Sequence, residues 1–421
     1  MKNLICSFLI LSIFLLASCE KEDPEIAPID ELSALSFSES FVCQPLAFDN
    51  YLVALINRNN LNSLCAYDEQ GNKLWQKPVD EYIIPGVSYS ELNYIKIAKL
   101  GSGSAILNMF VIVFDKFQSI ENQIFKAVSF DVSGNFKWQL MDSIHQPDTI
   151  IIQQDTIAMD SIFIIADSFQ HANGNHIVLS YQIDEKSDST FLQFSNYNEN
   201  GSFQGDNYLK IKGKRLIYNI FLTSDNELLM FNEIPTQGQS YILMDFAGEI
   251  KFEIMSDRPI LENYFFHETR QGEFLISSSV IDISANYKGV VLNVDKAGNI
   301  LWRNNLNNPQ ATIVMSVTEN ADSYIFSGFN TESTILTGVD WRTTFSQNKF
   351  NAVLQKTDLN GQEIWRQMIP GIINTSGAAS IGTDNISFFA GKYDIAPGGK
   401  NDNSVKNIIL LKLNPEGLIL N

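Results

Sequence analysis

The sequence contains few charged residues, few cysteines and few histidines. Charged residues make up 18% of the chain, against about 25% in typical proteins, whereas 45% are hydrophobic, which excludes disorder and predicts a large core. Four cysteines in 421 residues exclude a disulfide-dense scaffold, and four histidines leave little material for a His-rich metal site. Basic residues number 29 against 48 acidic ones, a net charge of −19. This balance argues against nucleic acid or an anionic membrane surface as the partner, because both attract basic surfaces.

The N-terminus predicts an export signal. Lys2 precedes an apolar run over residues 4–16, which is too short for the ~30 Å core of a membrane but has the length of a signal-peptide core. Residues 16–19, Leu-Ala-Ser-Cys, resemble the lipobox of bacterial lipoproteins closely. The resemblance implies cleavage before Cys19 and lipidation of that cysteine, and several acyl chains on one residue give stable anchoring. The alternative is an ordinary secretory signal that is cut near Ala17.

A polar segment follows the cysteine. Residues 21–23, Lys-Glu-Asp, resemble the export signal of Bacteroidetes-type lipoproteins, which implies a location in the outer membrane, facing the cell surface. The alternative is a solvated tether without a targeting role. Residues 20–35 are acidic, contain Pro24 and Pro28 and lack periodicity, which indicates a flexible linker. The predicted parts are a signal peptide over 1–18, a lipidated cysteine and tether over 19–35, and one domain over 36–421.

One motif recurs along that domain. It begins with Asp or Asn, has Gly three residues later and, in four copies, Trp four residues after the glycine, as in Asp131, Gly134 and Trp138. This pattern favours a hairpin turn, because the Asp side chain accepts backbone N–H groups and Gly takes a left-handed conformation. The seven glycines are Gly71, Gly134, Gly201, Gly248, Gly298, Gly361 and Gly417.

A second turn precedes each hairpin, and most copies follow it with a β-rich run such as residues 227–231, Glu-Leu-Leu-Met-Phe. Each repeat therefore contains four short strands, called A to D here in chain order. Seven repeats of about 58 residues predict an all-β fold, a seven-bladed β-propeller of four-stranded antiparallel blades. A set of β-sandwiches is the alternative, but separate sandwiches would not share one repeat.

The motif resembles the blade motif of the quinoprotein-like (PQQ-like) propeller superfamily over nearly the whole mature chain. The resemblance implies a propeller, a fold that often serves as a non-catalytic scaffold or surface protein. That family's docking motif has an additional Thr before the glycine, which the seven copies here lack. We therefore expect no quinone or other cofactor.

The long connections predict which face of the propeller binds a partner. The A–B and C–D turns are short, whereas residues 142–160, 329–349 and 392–406 form D–A or B–C connections, which belong to the opposite face. We call this the long-loop face. Binding residues lie disproportionately on loops that a rigid scaffold holds.

Aromatic and charged side chains in these loops are the candidate binding residues. Their rings can stack on a sugar or anchor a protein partner. For Trp341 the alternative is that it covers an adjacent blade. The candidates are Trp341, Arg342, Tyr393 and Asp394.

Catalytic motifs are absent from the sequence. It contains no His-Glu-x-x-His, Gly-x-Ser-x-Gly or Gly-x-x-x-x-Gly-Lys. His171 and His176 share a repeat but are expected on different faces, so we predict no metal site. The favoured function is a lipid-anchored module of the cell envelope that recognises a glycan or an outer-membrane protein. The alternative is a propeller enzyme, a hydrolase, lyase or dehydrogenase, with a site in the central channel.

Two further expectations concern structure. Cys43 and Cys65 are predicted on the first and third strands of one sheet, about 9–10 Å apart and too far for a disulfide, so we favour two buried thiols. Only four residues follow Gly417. We therefore expect residues 31–37 to complete the last blade and to join it to the first.

Overall fold

The structure is a computed structural model, and it describes residues 35–418 with gaps. The residues outside the description within that span are 38–39, 42–44, 49, 59–60, 83, 85–93, 101–103, 115–119, 144–148, 153–154, 159–162, 172–173, 185, 199, 236, 258–259, 282–286, 306–310, 332–349, 371–377, 382–385 and 394–405.

The described residues form antiparallel sheets in a ring. Strand β1 is Leu35–Phe37. An N-terminal sheet contains β2 (Ser40–Phe41), β3 (Leu46–Ala47), β4 (Tyr51–Arg58), β5 (Leu61–Asp68) and β6 (Lys73–Pro78), and a 3-10 turn follows at Asp80–Tyr82. Blade 1 contains β7 (Tyr94–Leu100), β8 (Ser104–Phe114), β9 (Ile120–Phe130) and β10 (Phe136–Ser143). A separate hairpin, β11 (Thr149–Ile152) and β12 (Asp155–Ala158), comes next.

Five more blades follow. Blade 2 contains β13 (Ile164–Gln170), β14 (His176–Asp184), β15 (Ser189–Tyr197) and β16 (Phe203–Lys212). Blade 3 contains β17 (Leu216–Leu222), β18 (Leu228–Ile234), β19 (Gly238–Met244) and β20 (Ile250–Met255). Blade 4 contains β21 (Ile260–Glu268), β22 (Phe274–Ile281), β23 (Tyr287–Val294) and β24 (Ile300–Asn305). Blade 5 contains β25 (Ala311–Glu319), β26 (Ser323–Thr331), β27 (Phe350–Asp358) and β28 (Glu363–Pro370). Blade 6 contains β29 (Ala378–Ile381), β30 (Ile386–Tyr393), β31 (Lys406–Leu413) and β1.

The prediction of seven four-stranded blades is wrong. The described residues form six four-stranded blades, and the N-terminal sheet that stands between blades 6 and 1 has five strands. Its inner position is shared by the short strands β2 and β3, which both pair with β4. Pro45 lies between them, and proline interrupts a strand because it has no N–H for the ladder. Cys65 is fully buried on β5, whereas Cys43 lies outside the described residues.

The N-terminal strand completes the last blade, as predicted. Strand β1 pairs antiparallel with β31, with Leu35 opposite Leu410 and Phe37 opposite Ile408. The next strands of the chain belong to the N-terminal sheet, which contacts blade 6 on one side and blade 1 on the other. Backbone hydrogen bonds therefore join the N-terminal end of the ring to its last blade. Residues 31–34 of the predicted segment lie outside the described residues.

Removal of this strand should weaken the ring. We expect deletion of residues 26–37 to lower the melting temperature of the full chain by several degrees, because the β1–β31 ladder and the cover of β31 are lost. Thermal unfolding followed by circular dichroism measures the shift. Deletion of residues 20–31, which removes as many residues but leaves β1, is the control, and an equal shift in both would contradict the role of β1.

The predicted hairpin turns are present. In blade 1, Oδ1 of Asp131 accepts hydrogen bonds from the backbone N–H groups of Ser133 (2.9 Å) and Asn135 (2.8 Å). Gly134 has a φ of 73°, in the left-handed region. These bonds hold the pKa of Asp131 below its usual value. All seven glycines of the repeat have positive φ, so each copy of the motif forms the same turn.

The repeated Trp holds one blade against the next. The ring of Trp75 lies against Gly134, the turn glycine of the following blade, and its indole Nε1–H donates to the carbonyl oxygen of Val132 at 2.8 Å. Trp302 lies on Gly361 in the same way, with its N–H bonded to Leu359 at 2.9 Å. The third such contact places Trp365 on Gly417, with its N–H bonded to Pro415. We call this contact the glycine clasp.

Other residues replace the clasp at the remaining joints described. Phe252 covers Gly298 and Leu209 covers Gly248. Between blades 1 and 2, Trp138 lies against the His176 ring instead, with the ring centroids 5.7 Å apart. Apolar clusters fill the space behind the contacts at the joints from the N-terminal sheet to blade 4.

A methyl group at a clasp glycine should be highly destabilising. A Cβ at Gly361 would lie 2.6 Å from the Trp302 ring, at a φ of 75°. We expect Gly361→Ala to lower the free energy of unfolding by about 2–4 kcal/mol, the sum of left-handed strain and overpacking. Chemical denaturation measures this value.

Gly174 offers a matched control. Its φ is 90° and nothing lies within 4 Å of its Cβ position. Gly174→Ala therefore carries the backbone strain without the clash. Equal losses of stability in the two variants would mean that the clasp adds nothing.

Candidate functional site

The long connections lie where the sequence predicts them. Residues 332–349 join β26 to β27, and residues 394–405 join β30 to β31, so both are B–C connections of adjacent blades. The insertion over 142–160 contains the β11–β12 hairpin, whose strand β11 contacts β16. These connections belong to the face opposite the A–B and C–D turns.

The predicted binding residues fall almost entirely outside the description. Trp341, Arg342 and Asp394 lie outside the described residues, as does Cys19. Tyr393 is the last residue of β30, and its Cα pairs with Lys406. The structure therefore leaves these four binding residues as predictions.

The face that carries the A–B and C–D turns, called the turn face here, has side-chain hydrogen bonds between neighbouring blades. Side chains of one A–B turn bond the next turn in blades 2 to 5. Burial would raise the pKa of Glu319, but hydrogen bonds from His267 and from the backbone of Arg270 outweigh it and lower that pKa. The contacts are His171–Asn226 (2.7 Å), Ser224–Glu268 (2.6 Å) and His267–Glu319 (3.2 Å).

A cavity of ≈ 260 Å³ lies between blades 3 and 4. Ser256 and Asp257, which line it, belong to the D–A connection, and Val280 lies at the end of β22 next to a B–C connection. The cavity is therefore on the long-loop side of the joint. Most of its remaining lining is apolar, from Ile254, Met255, Ile260, Val290, Leu292 and Ile300.

The cavity adjoins the joint where phenylalanine replaces tryptophan. Phe252 covers Gly298, and Ile254, two residues further along β20, points to the same side and lines the cavity. A benzene ring fills less space than an indole and has no N–H to donate. The cavity therefore lies beside a joint that lacks the indole ring and its N–H bond.

Two hydroxyl groups form the deep polar part of the cavity. Tyr241 and Ser278 are almost fully buried, and their hydroxyls hydrogen-bond across the joint. Gln239 fixes the adjacent connection, because its side chain donates to the carbonyl oxygen of Ile260 at 2.7 Å and accepts the Ile260 N–H. The floor and one wall of the cavity are therefore held rigidly.

An ion pair stands at the cavity mouth. Nη1 of Arg303 lies 3.1 Å from each carboxylate oxygen of Asp257. Nε of Arg303 donates to Asn305 at 2.9 Å. The side chain of Arg303 is 28% exposed and that of Asp257 is 62% exposed. A cation is thus positioned at the entrance to an apolar cavity.

The inner strands carry a second charged pair. Nζ of Lys96 on β7 bonds Oδ2 of Asp167 on β13 at 2.9 Å, and the Asp167 side chain is only 3% exposed. Strands β7 and β13 are the first strands of blades 1 and 2, so this pair links the inner strands of these two blades. Among the residues that the structure describes, no group of three or more His, Cys, Asp or Glu side chains is placed to hold a metal ion.

His176 is a buried group without a chemical role. It opens β14, as expected, and its ring lies between Phe125 and Trp138, at 5.7 Å from each ring centroid. Neither of its nitrogens has a hydrogen-bond partner among the described residues, and burial lowers its pKa to about 3. The imidazole is therefore neutral in the folded protein and contributes packing alone.

This histidine should make stability depend on pH. With a pKa near 6.5 when unfolded and about 3 when folded, His176 binds more protons in the unfolded chain between these values, so stability falls as the pH falls below 6.5. From pH 7.5 to pH 5 the loss from this group is about 2 kcal/mol. Denaturation curves of wild type and His176→Phe at both pH values measure it, and parallel losses in the two proteins would refute the assignment.

Comparison with known proteins identifies no family for this chain. No protein-family model and no curated protein matches the sequence. A solved protein of unknown function from Dyadobacter fermentans is 9% identical over 72% of this chain and 96% of its own, with a TM-score of 0.43. A puromycin hydrolase is 9% identical over 84% of this chain and 59% of its own, with a TM-score of 0.41. A Synechocystis apocarotenoid oxygenase mutant is 10% identical over 92% and 88%, with a TM-score of 0.41.

At such identities and TM-scores, these similarities establish neither the fold nor the activity of this chain. No helix among the described residues is long and apolar enough to cross a membrane.

Proposed function

We propose that this protein is a binding module of the bacterial cell envelope, held at the outer membrane by a lipid on Cys19 and exposed at the cell surface. The β-propeller presents its long-loop face to a partner, which is a glycan or an outer-membrane protein. The quinoprotein-like repeat serves as scaffold. Neither a cofactor nor nucleic acid takes part.

One observation carries this proposal. The long B–C connections of blades 5 and 6 and the cavity between blades 3 and 4 belong to the same side of the ring. The opposite side consists of short turns that bond to one another. A rigid ring with one elaborated face is the arrangement that loop-borne recognition requires.

The lipid anchor rests on residues 16–19, Leu-Ala-Ser-Cys, after an apolar run. The acidic tether over residues 20–35 would give the ring freedom to project from the membrane. The whole chain has a net charge of −19, so it is not attracted to anionic lipid head groups, and a covalent anchor supplies the attachment.

Affinity purification of the full-length protein from its own outer membrane tests the proposal. We expect a mild-detergent pull-down to recover a stoichiometric protein partner or a glycan, identified by mass spectrometry. Changing Trp341 and Tyr393 to Ala should abolish recovery with the melting temperature unchanged, because Trp341 belongs to the connection after β26 and Tyr393 is the strand residue that precedes the connection after β30. Protease added to whole cells should degrade the protein.

The controls separate anchoring from recognition. Cys19→Ala should release the protein from the membrane fraction without changing its fold. Recovery that is insensitive to both aromatic substitutions would contradict the choice of loops. Full protection from protease on whole cells would place the protein on the periplasmic side.

A channel enzyme is the second candidate, and the Lys96–Asp167 pair favours it. A lysine beside a buried carboxylate is a group that catalysis can use. This hypothesis requires turnover that is lost on Asp167→Asn, whereas a broad substrate panel without turnover would count against it.

A further inference from the structure

The mouth of the cavity between blades 3 and 4 presents unused hydrogen-bond donors. Arg303 bonds Asp257 through Nη1 and Asn305 through Nε. Its Nη2 makes no hydrogen bond within the described part of the chain. The guanidinium lines the cavity and is 28% exposed, so a ligand that enters can reach Nη2 without breaking the pair with Asp257.

The interior of the cavity favours an apolar group of a ligand. Ile254, Val280 and Leu292 line the walls, and the hydroxyls of Tyr241 and Ser278 already bond to each other. Burial of apolar surface there is favourable, whereas an additional polar group would lose its hydration for few new partners. The volume of ≈ 260 Å³ lies just below the range of about 300–1,000 Å³ for ligand pockets, which suits a small molecule.

We propose that this cavity binds a small carboxylate with an apolar body, such as a medium-chain acid. The apolar body occupies the space between β20 and β22–β24, and the carboxylate accepts hydrogen bonds from Nη2 of Arg303. The inference goes beyond the proposed recognition of a glycan or a protein, because it adds a small-molecule ligand on the same side of the ring.

The charges at the mouth favour an anion over a cation. An ammonium group would stand beside the Arg303 guanidinium, and both oxygens of Asp257 already accept from Nη1 at 3.1 Å. A carboxylate instead meets the open N–H groups of Nη2, which can donate a charge-assisted hydrogen bond to it. Asp257 is largely exposed, so its charge is screened by solvent.

Titration calorimetry on the full chain carrying Cys19→Ala, which needs no detergent, tests this assignment. The probes are octanoate, octylammonium and octan-1-ol, which share one chain and differ in the head group. We expect octanoate to bind at one site. Octan-1-ol should bind about tenfold more weakly, because a tenfold loss of affinity corresponds to the free energy of one charge-assisted hydrogen bond. Octylammonium should show no saturable binding.

Two substitutions locate the head group. Arg303→Gln should weaken octanoate about tenfold and change octan-1-ol by less than about twofold. Asp257→Asn should leave octanoate affinity unchanged or raise it, because a competing anion is removed. Arg270→Gln, an exposed arginine on the turn face, is the matched control and should change nothing.

Several results would overturn the inference. They are an absence of saturable octanoate binding, tighter binding of octylammonium than of octanoate, or equal losses with Arg303→Gln and Arg270→Gln. The proposed function fails separately. A partner recovered through Trp341 and Tyr393, with octanoate unbound, keeps the binding module and removes this cavity from it.

Discussion

The structure depends on a contact in which a large side chain of one blade covers the turn glycine of the next. The left-handed glycine has no Cβ, so the indole ring reaches the turn backbone. The indole N–H then bonds a carbonyl of the same turn, at 2.8 Å for Trp75 and Val132. A blade of four strands buries apolar faces only against its neighbours, so this contact sets where each neighbour stands. Strand β1 joins the two ends of the chain, because it places N-terminal residues in the last blade.

The joints differ in the residue that covers the turn glycine. Three joints have an indole with its N–H bonded, Phe252 occupies the Trp position at a fourth, and Leu209, which lies outside the Trp position, covers Gly248 at a fifth. The joint with Phe252 adjoins the cavity that contains Tyr241, Ser278 and Arg303. The strict copies of the repeat thus hold neighbouring blades together, and the proposed ligand cavity lies beside a degenerate copy.

Much of the fold could be predicted from the sequence, because turns are local. Asp131 and Gly134 specify their hairpin within a few residues, so turn positions, strand order and the places of the long connections were recovered. The predicted number of four-stranded blades was wrong at the N-terminal sheet, where Pro45 divides the inner position between two short strands. No local signal in the sequence distinguished this five-stranded sheet from an ordinary first blade. The clasp partner was missed because Trp75 and Val132 are 57 residues apart. The cavity was missed for the same reason, since its lining comes from six strands and a connection without a shared motif.

The two faces of the ring differ in whether their polar side chains are already hydrogen-bonded to a neighbouring blade, and this difference bears on the proposed function. On the turn face, side chains such as those of Ser224 and Glu268 form hydrogen bonds between blades. On the long-loop side, Arg303 keeps an open Nη2 beside an apolar cavity in a chain with a net charge of −19. Isolated surface ion pairs contribute little to stability, so the Arg303–Asp257 pair is poorly explained by folding alone. The Arg303 cation at the mouth of an apolar cavity is the group that would bind the proposed carboxylate, which ties the proposed recognition to this joint of the scaffold.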